Sequence, residues 1–139
     1  MGHPLRYTRT VQWRDTDAAG IVHFSVFFNY MEEAETALLR AHGVDVLVTD
    51  DRDRYSFPRV SAQCDYRSPI RFGDTVDIDV SVMRLGNSSV TYKFDFSCDH
   101  RQVAVGQVTA VYCHLADPGG PQAVPLPPSL REQLAQLIS

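Results

Sequence analysis

A chain of 139 residues, 44% hydrophobic and 22% charged, has the size and composition of one globular domain and excludes extended disorder. Thirteen Lys and Arg against 17 Asp and Glu leave a net charge of -4, the wrong sign for holding nucleic acid through its phosphates. A single domain over residues 1–139, with no nucleic-acid partner, is the expectation.

The first element shows a two-residue period. Leu5, Tyr7, Val11 and Trp13 alternate with Arg6, Thr8, Thr10 and Gln12, which predicts a half-buried strand over 5–13 whose face only Arg9 breaks. After the small-residue turn RDTDAAG, the residues Phe24, Phe27, Phe28, Met31, Ala34, Leu38 and Ala41 recur at three- and four-residue steps. They predict a helix of four to five turns, which Gly43, lacking Cβ, is placed to end. Residues 45–56 mix charge with apolar side chains, show no period and read as a mobile connection.

Alternation then returns through Val60, Ala62, Cys64 and Tyr66, through Val76, Ile78, Val80 and Val82, and through Val90, Tyr92, Phe94 and Phe96. In a last run Val103 and Val105 are odd-numbered but Val108, Ala110 and Tyr112 are even-numbered, and the slip at Gly106 predicts a β-bulge. The Pro- and Gly-rich tail has no place in a central strand, and SLREQLAQLI predicts a short closing helix capped by Ser129. One-sided alternation favours antiparallel pairing. The expected architecture is α+β, a curved antiparallel sheet of about five strands wrapped around one long central helix.

Candidate chemistry centres on RDTDAAGIVHF. Asp17 precedes the helix start, where free N–H groups and the positive end of the helix dipole converge. A thioester or ester carbonyl held there would be polarised by backbone N–H groups near His23 and Phe24. A carboxylate beside it would attack that carbonyl or draw a proton from water. Gly20 lets the backbone approach a ligand. The competing reading is structural, with Asp15 and Asp17 closing an Asx-turn and capping the helix.

Other residue types point away from metals and membranes. Cys64, Cys98 and Cys113 form neither a CxxC pair nor an even set, so no disulfide framework or zinc site is expected, and a reducing cytoplasm is the simplest location. His3, His23, His42, His100 and His114 show no metal-ligand spacing, and no metal is expected. There is no signal pattern and no apolar run of roughly 18 residues, so no membrane association is expected.

The stretch VQWRDTDAAGIVHFSVFFNYMEEAETALLRAHG resembles the signature region of hotdog-fold acyl-CoA thioesterases, above all the 4-hydroxybenzoyl-CoA thioesterase group, in its D-x-D-x-x-G-x-V turn and long helix. The 1,4-dihydroxy-2-naphthoyl-CoA branch fits equally well. The similarity continues through FPRVSAQCDYRSPIRFGDTVDIDVSVMRLGNSSVTYKF to about residue 114. It implies that Asp17 is the catalytic carboxylate, as nucleophile or general base, and that the Phe24 N–H polarises the carbonyl. It further implies that Gly20, His23, Arg59, Val60 and Ser61 meet the substrate, the last three from a second subunit.

The basic cluster that holds CoA phosphates in the hydroxybenzoyl branch falls at RLGNSS, where Arg84 alone keeps charge beside Ser88. Arg67 and Arg71 join these two as phosphate candidates. Another branch uses a helical Glu as base, which brings Glu32, Glu33 and Glu35 into view, although here they read as a solvated or dimer-facing stripe. Phe24 replaces the His of many bacterial relatives; this speaks against a hotdog dehydratase and tilts the expectation toward aryl substrates. The resemblance also implies a homodimer or a dimer of dimers joined sheet edge to sheet edge, with coenzyme A as part of the substrate and no separate cofactor. A non-catalytic acyl-CoA binding module and a purely structural oligomer are the rival readings.

Overall fold

The structure is a computed structural model that describes residues 4–49, 53–116 and 119–139. In chain order its elements are β1 (Leu5–Thr10), α1 (Val26–Ala41), β2 (Leu47–Thr49), β3 (Arg54–Ser56), β4 (Arg59–Tyr66), β5 (Thr75–Leu85), β6 (Ser89–Cys98), β7 (Arg101–Val111), β8 (Cys113–Ala116), β9 (Gly120–Ala123) and α2 (Pro128–Ala135). Five strands form one antiparallel sheet in the order β1-β5-β6-β7-β4, and four short ones form a second sheet, β2-β3-β8-β9.

The core lies between α1 and one face of the larger sheet. Helical spacing brings Phe27, Tyr30, Met31, Ala34 and Leu38 to one side of α1, and strand spacing brings Ile78, Val80, Tyr92, Phe94 and Val108 to meet them. Each fully buried apolar side chain contributes about 1.5–3 kcal/mol, so this shared face dominates the stability of the fold. Phe24 and Ala41, both in the predicted stripe, are exposed. Gly43 ends α1 as expected: at φ 71° it allows Val44 N–H to donate to Leu39 O at 2.8 Å and its own N–H to donate to Arg40 O at 3.2 Å.

Several expectations change for identifiable reasons. The first strand stops at Thr10, because Val11 pairs instead with the 71–74 turn, through Val11 N–H to Asp74 O at 2.8 Å. Trp13 then enters a single 3₁₀ turn, Trp13–Asp15, and is exposed. The segment 45–56 is not simply a connection: β2 and β3 pair as a hairpin, each three residues long and so too short to display a period, while residues 50–52 lie outside the described residues. Ser129 does not cap α2, which starts at Pro128 with Pro127 at the cap position, where a missing N–H costs nothing.

Gly106 is not a bulge. It pairs in register with Cys64 on one side and Phe94 on the other. The phase slip comes from Val103, left over between the pairs Phe96 with Ala104 and Ser97 with Gln102. A Cβ at position 106 would run into the Met31 thioether that α1 lays across β7, with Sδ 2.6 Å away, which favours glycine there.

At the edge of the larger sheet β4 differs from its neighbours. Every residue of β4 except Cys64 is exposed, on both faces, and Val60 and Tyr66 are 63% and 44% exposed. An eight-residue strand with one free edge is a template for pairing with another chain. Among the described residues, no helix is long and apolar enough to cross a membrane.

Candidate active site

Between β1 and α1 the chain makes a compact loop that fixes two aspartates differently. Asp17 N–H donates to Ile21 O at 2.9 Å, Gly20 N–H returns to Asp17 O at 3.0 Å, and Asp17 Oδ1 accepts Ala19 N–H at 2.9 Å. Gly20 sits at φ 81°, a conformation that side chains with Cβ rarely adopt, so the glycine of the motif is required by the turn itself. Val22 N–H donates to Ile70 O at 2.9 Å and docks the loop on the segment leading to β5.

Asp15 is buried at 6% exposure, and its Oδ2 accepts Tyr30 O–H at 2.7 Å and Gln12 N–H at 2.9 Å. Arg9, the residue that broke the strand's apolar face, lies with Nη1 3.8 Å from the same oxygen. Its Nε donates to Glu33 Oε1 at 2.9 Å, and its guanidinium lies over the Tyr30 ring at 5.1 Å. Tyr7 O–H donates to Glu33 Oε1 as well. Asp15 thus belongs to the structural framework, while Asp17 stays half-buried and faces a cavity.

That cavity, about 500 Å³, is lined by Asp17, Ile21, Val22, Phe24, Phe27, Tyr66, Arg67, Ser68, Pro69 and Ile70. Its wall is largely apolar, with one carboxylate and one guanidinium. The backbone at Phe24 is held on both sides. His23 N–H donates to Asp15 O at 3.0 Å, His23 O accepts Val26 N–H at 2.9 Å, and Phe24 O accepts Tyr66 O–H at 2.8 Å. The Phe24 N–H has no acceptor among the described residues and lies just before the first turn of α1. Tyr66 packs edge-on against Phe27 with centroids 5.0 Å apart, and burial, reinforced by Cys64, pushes its hydroxyl up to about 12, so it serves as a donor at any physiological pH.

Of the other expected site residues, Arg67 joins this cavity and Arg71 stands four residues on, its N–H donating to Asp74 Oδ2 at 2.8 Å. His23 does not line it. His23 Nδ1 lies 2.7 Å from Ser25 Oγ and accepts Ser25 N–H at 3.2 Å, while its ring lies against that of Phe24, tilted by 30° with centroids 4.6 Å apart.

Arg59, Val60 and Ser61 sit at the opposite end of β4 from Tyr66. There Arg59 Nη1 donates to Glu35 Oε2 at 2.7 Å beside a second, smaller cavity of about 220 Å³. Glu35 is only 2% exposed, and burial raises its carboxyl pKa although Arg59 opposes the shift. Glu32 lines the smaller cavity. Arg84 lies near the far end of β5, nine residues along an extended strand from Thr75, roughly 30 Å, Ser88 follows in the turn before β6, and neither reaches Asp17 within one chain.

Tyr66, Ser68 and Pro69 were not singled out as site residues by the sequence. Only register places them against the loop, because Arg67 and Ser68 N–H both donate to Val103 O.

A thioesterase-like superfamily model matches residues 11–134. A 1,4-dihydroxy-2-naphthoyl-CoA hydrolase of Synechococcus elongatus is 30% identical over 131 residues, covering 93% of each chain. A solved gentisyl-coenzyme A thioesterase superposes with a TM-score of 0.79 at 29% identity, over 94% of this chain and 99% of that one. A thioesterase-superfamily structure from Jannaschia sp. CCS1 gives a TM-score of 0.83 at 25% identity, over 97% and 93%. With the loop geometry and the match over most of its length, the chain belongs to the thioesterase-like superfamily.

Proposed function

We propose that the protein hydrolyses a hydroxyaryl-CoA thioester to the free acid and coenzyme A. The observation that carries this reading is that Asp17 and Phe24, whose N–H has no acceptor among the described residues, line one largely apolar cavity at the start of α1. A thioester carbonyl lodged there accepts the Phe24 N–H and lies at the positive end of the helix, both of which favour the negative charge that develops on its oxygen. Asp17 either attacks the carbonyl carbon, expelling the coenzyme A thiolate and leaving an acyl-aspartyl anhydride that water then cleaves to the free acid, or takes a proton from water as that water attacks, the proton passing to the departing thiolate. Phe24, Phe27 and Tyr66 give the cavity the flat aromatic walls that suit a ring, and two relatives act on dihydroxylated aryl thioesters by name. Arg67 and Arg71 carry charge suited to the CoA phosphates.

A second copy completes the site in this reading. Antiparallel pairing of two β4 strands about their centre sets Arg59, Val60 and Ser61 of one chain beside Tyr66 of the other, and so beside that chain's Asp17 cavity. The test is thiol release from a panel of hydroxylated aryl, plain aryl and aliphatic acyl-CoA esters, run with wild type and Asp17→Asn. Preferred turnover of a hydroxyaryl ester, lost in the variant, supports the reading. Binding without thiol release would make the protein an acyl-CoA binding module.

A further inference from the structure

The reaction proposed above needs the Phe24 N–H and Asp17 held still relative to each other, and neither holds the other directly. The connection runs through Asp15. Its backbone oxygen accepts His23 N–H at 3.0 Å, one residue before the donor that faces the carbonyl, and Asp15 itself stands two residues before Asp17. Its side chain is tied to α1 by Tyr30 O–H at 2.7 Å and to the preceding turn by Gln12 N–H at 2.9 Å. Tyr30 lies on the same helix that begins directly after Phe24, and it is completely buried, so its position is set by the core. The loop is therefore held at both ends to one rigid body.

We infer that Asp15 and Tyr30 are positioning residues for the reaction: the Tyr30 to Asp15 hydrogen bond fixes the 15–24 loop so that the Phe24 N–H and the Asp17 carboxylate meet one carbonyl. Asp15 is not among the residues that line the cavity and takes no part in the chemistry; it acts through His23 and Asp17. The inference rests on the thioesterase reading, which stands or falls on the wild type alone. A displacement of about 1 Å at such a site costs up to about 100-fold in rate, which sets the scale of the effect.

The experiment compares Tyr30→Phe, Asp15→Ala and Asp15→Asn with wild type for kcat and KM on the best ester of the panel, each on protein whose thermal transition shows it folded. Tyr30→Phe and Asp15→Ala should lower kcat by ~10- to 100-fold with KM within about twofold, since the loss falls on the transition state. Asp15→Asn keeps an oxygen that accepts from both Tyr30 and Gln12, and should recover most of what Asp15→Ala loses, whereas the same exchange at position 17 does not.

If the wild type releases no thiol from any ester, the thioesterase reading has failed and the variants are not needed to say so. If the wild type is active and Tyr30→Phe keeps full kcat, the positioning role is wrong. An Asp15→Asn loss as deep as that of Asp17→Asn would make Asp15 a chemical participant and overturn the inference equally. Should Asp15→Ala fail to fold, Tyr30→Phe, which removes only the hydroxyl and keeps the ring in the core, decides by itself.

Discussion

Asp15 and Asp17, two residues apart, occupy opposite environments: Asp15 accepts a 2.7 Å hydrogen bond from the buried Tyr30, while Asp17 faces the cavity that Phe24 also lines. One motif thus supplies a buried framework carboxylate and one that faces the cavity, the latter being the reactive group of the proposed mechanism. In an extended strand two such positions would share a face; here the 3₁₀ turn Trp13–Asp15 and the turn that Asp17 N–H closes on Ile21 O send them to different sides.

Asp17→Asn should lower kcat at least ~100-fold while leaving the melting temperature nearly unchanged. The stability part follows from the turn: an asparagine Oδ1 still accepts the Ala19 N–H that now bonds Asp17 Oδ1 at 2.9 Å. Steady-state kinetics and thermal unfolding on the same preparation check both halves, and a large fall in melting temperature would mean that the charge itself supports the fold.

Tyr66→Phe removes the donor that holds Phe24 O at 2.8 Å but keeps the ring that packs on Phe27. One neutral hydrogen bond contributes roughly 1 kcal/mol, so a loss of about 5- to 10-fold in kcat is expected, with little change in KM. An unchanged kcat would show that α1 and the His23 contacts alone fix the Phe24 peptide.

The long elements and the candidate loop were legible because each declares itself over several neighbouring residues, the helical stripe around Met31, the alternation around Ile78, and Asp17, Gly20 and Phe24 in one short motif, whereas the second sheet β2-β3-β8-β9 was not, its strands being three or four residues long. Tyr66 was not, since its role comes from a hydrogen bond to a residue 42 positions away, and nothing local distinguishes it from other strand tyrosines. Asp15 and Asp17 looked alike for the same reason, their difference being made by Tyr30 fifteen residues on. Gly106 misled, because a glycine demanded by a helix pressing on a strand reads the same as one demanded by a bulge.

That contact gives a stability prediction. Gly106→Ala places a methyl 2.6 Å from Met31 Sδ, and overpacking of this kind typically costs about 1–3 kcal/mol. Adding Met31→Ala should then cost less than it does in the wild type, because the new methyl fills part of the space vacated. A double-mutant cycle by denaturant unfolding measures the coupling, and strict additivity would show that helix and sheet separate rather than clash.

Glu35 sets a pH dependence. Burial raises its pKa in the folded chain above the ordinary carboxyl value of 4.5, Arg59 opposing, so the folded state binds this proton more tightly than the unfolded one. Its contribution to stability is then fully present below pH 4.5 and declines as pH rises through the folded value. Glu35→Gln, which mimics the protonated form, should therefore be more stable than wild type at neutral pH, with the gap closing as pH falls. Melting temperatures of both proteins across pH 4 to 8 check the sign, about 1.4 kcal/mol corresponding to each unit by which the two states differ. A variant less stable at every pH would mean that the 2.7 Å ion pair with Arg59 outweighs the burial of the charge.

The exposed β4 edge yields the last prediction. Val60 is 63% exposed and is the residue skipped between the pairs Arg59 with Ala110 and Ser61 with Thr109, so a change there disturbs neither β7 nor the core. Lysine at an edge blocks strand addition by keeping its charge in water. If two β4 strands pair in solution, Val60→Lys should convert the dimer to monomer in sedimentation velocity. Because each Asp17 cavity then loses the neighbouring chain's Arg59–Ser61 segment, kcat/KM should fall by ~10- to 100-fold while the monomer stays folded. A wild type that sediments as an active monomer would show that one chain carries the complete site, and Arg59→Ala would then leave turnover unchanged.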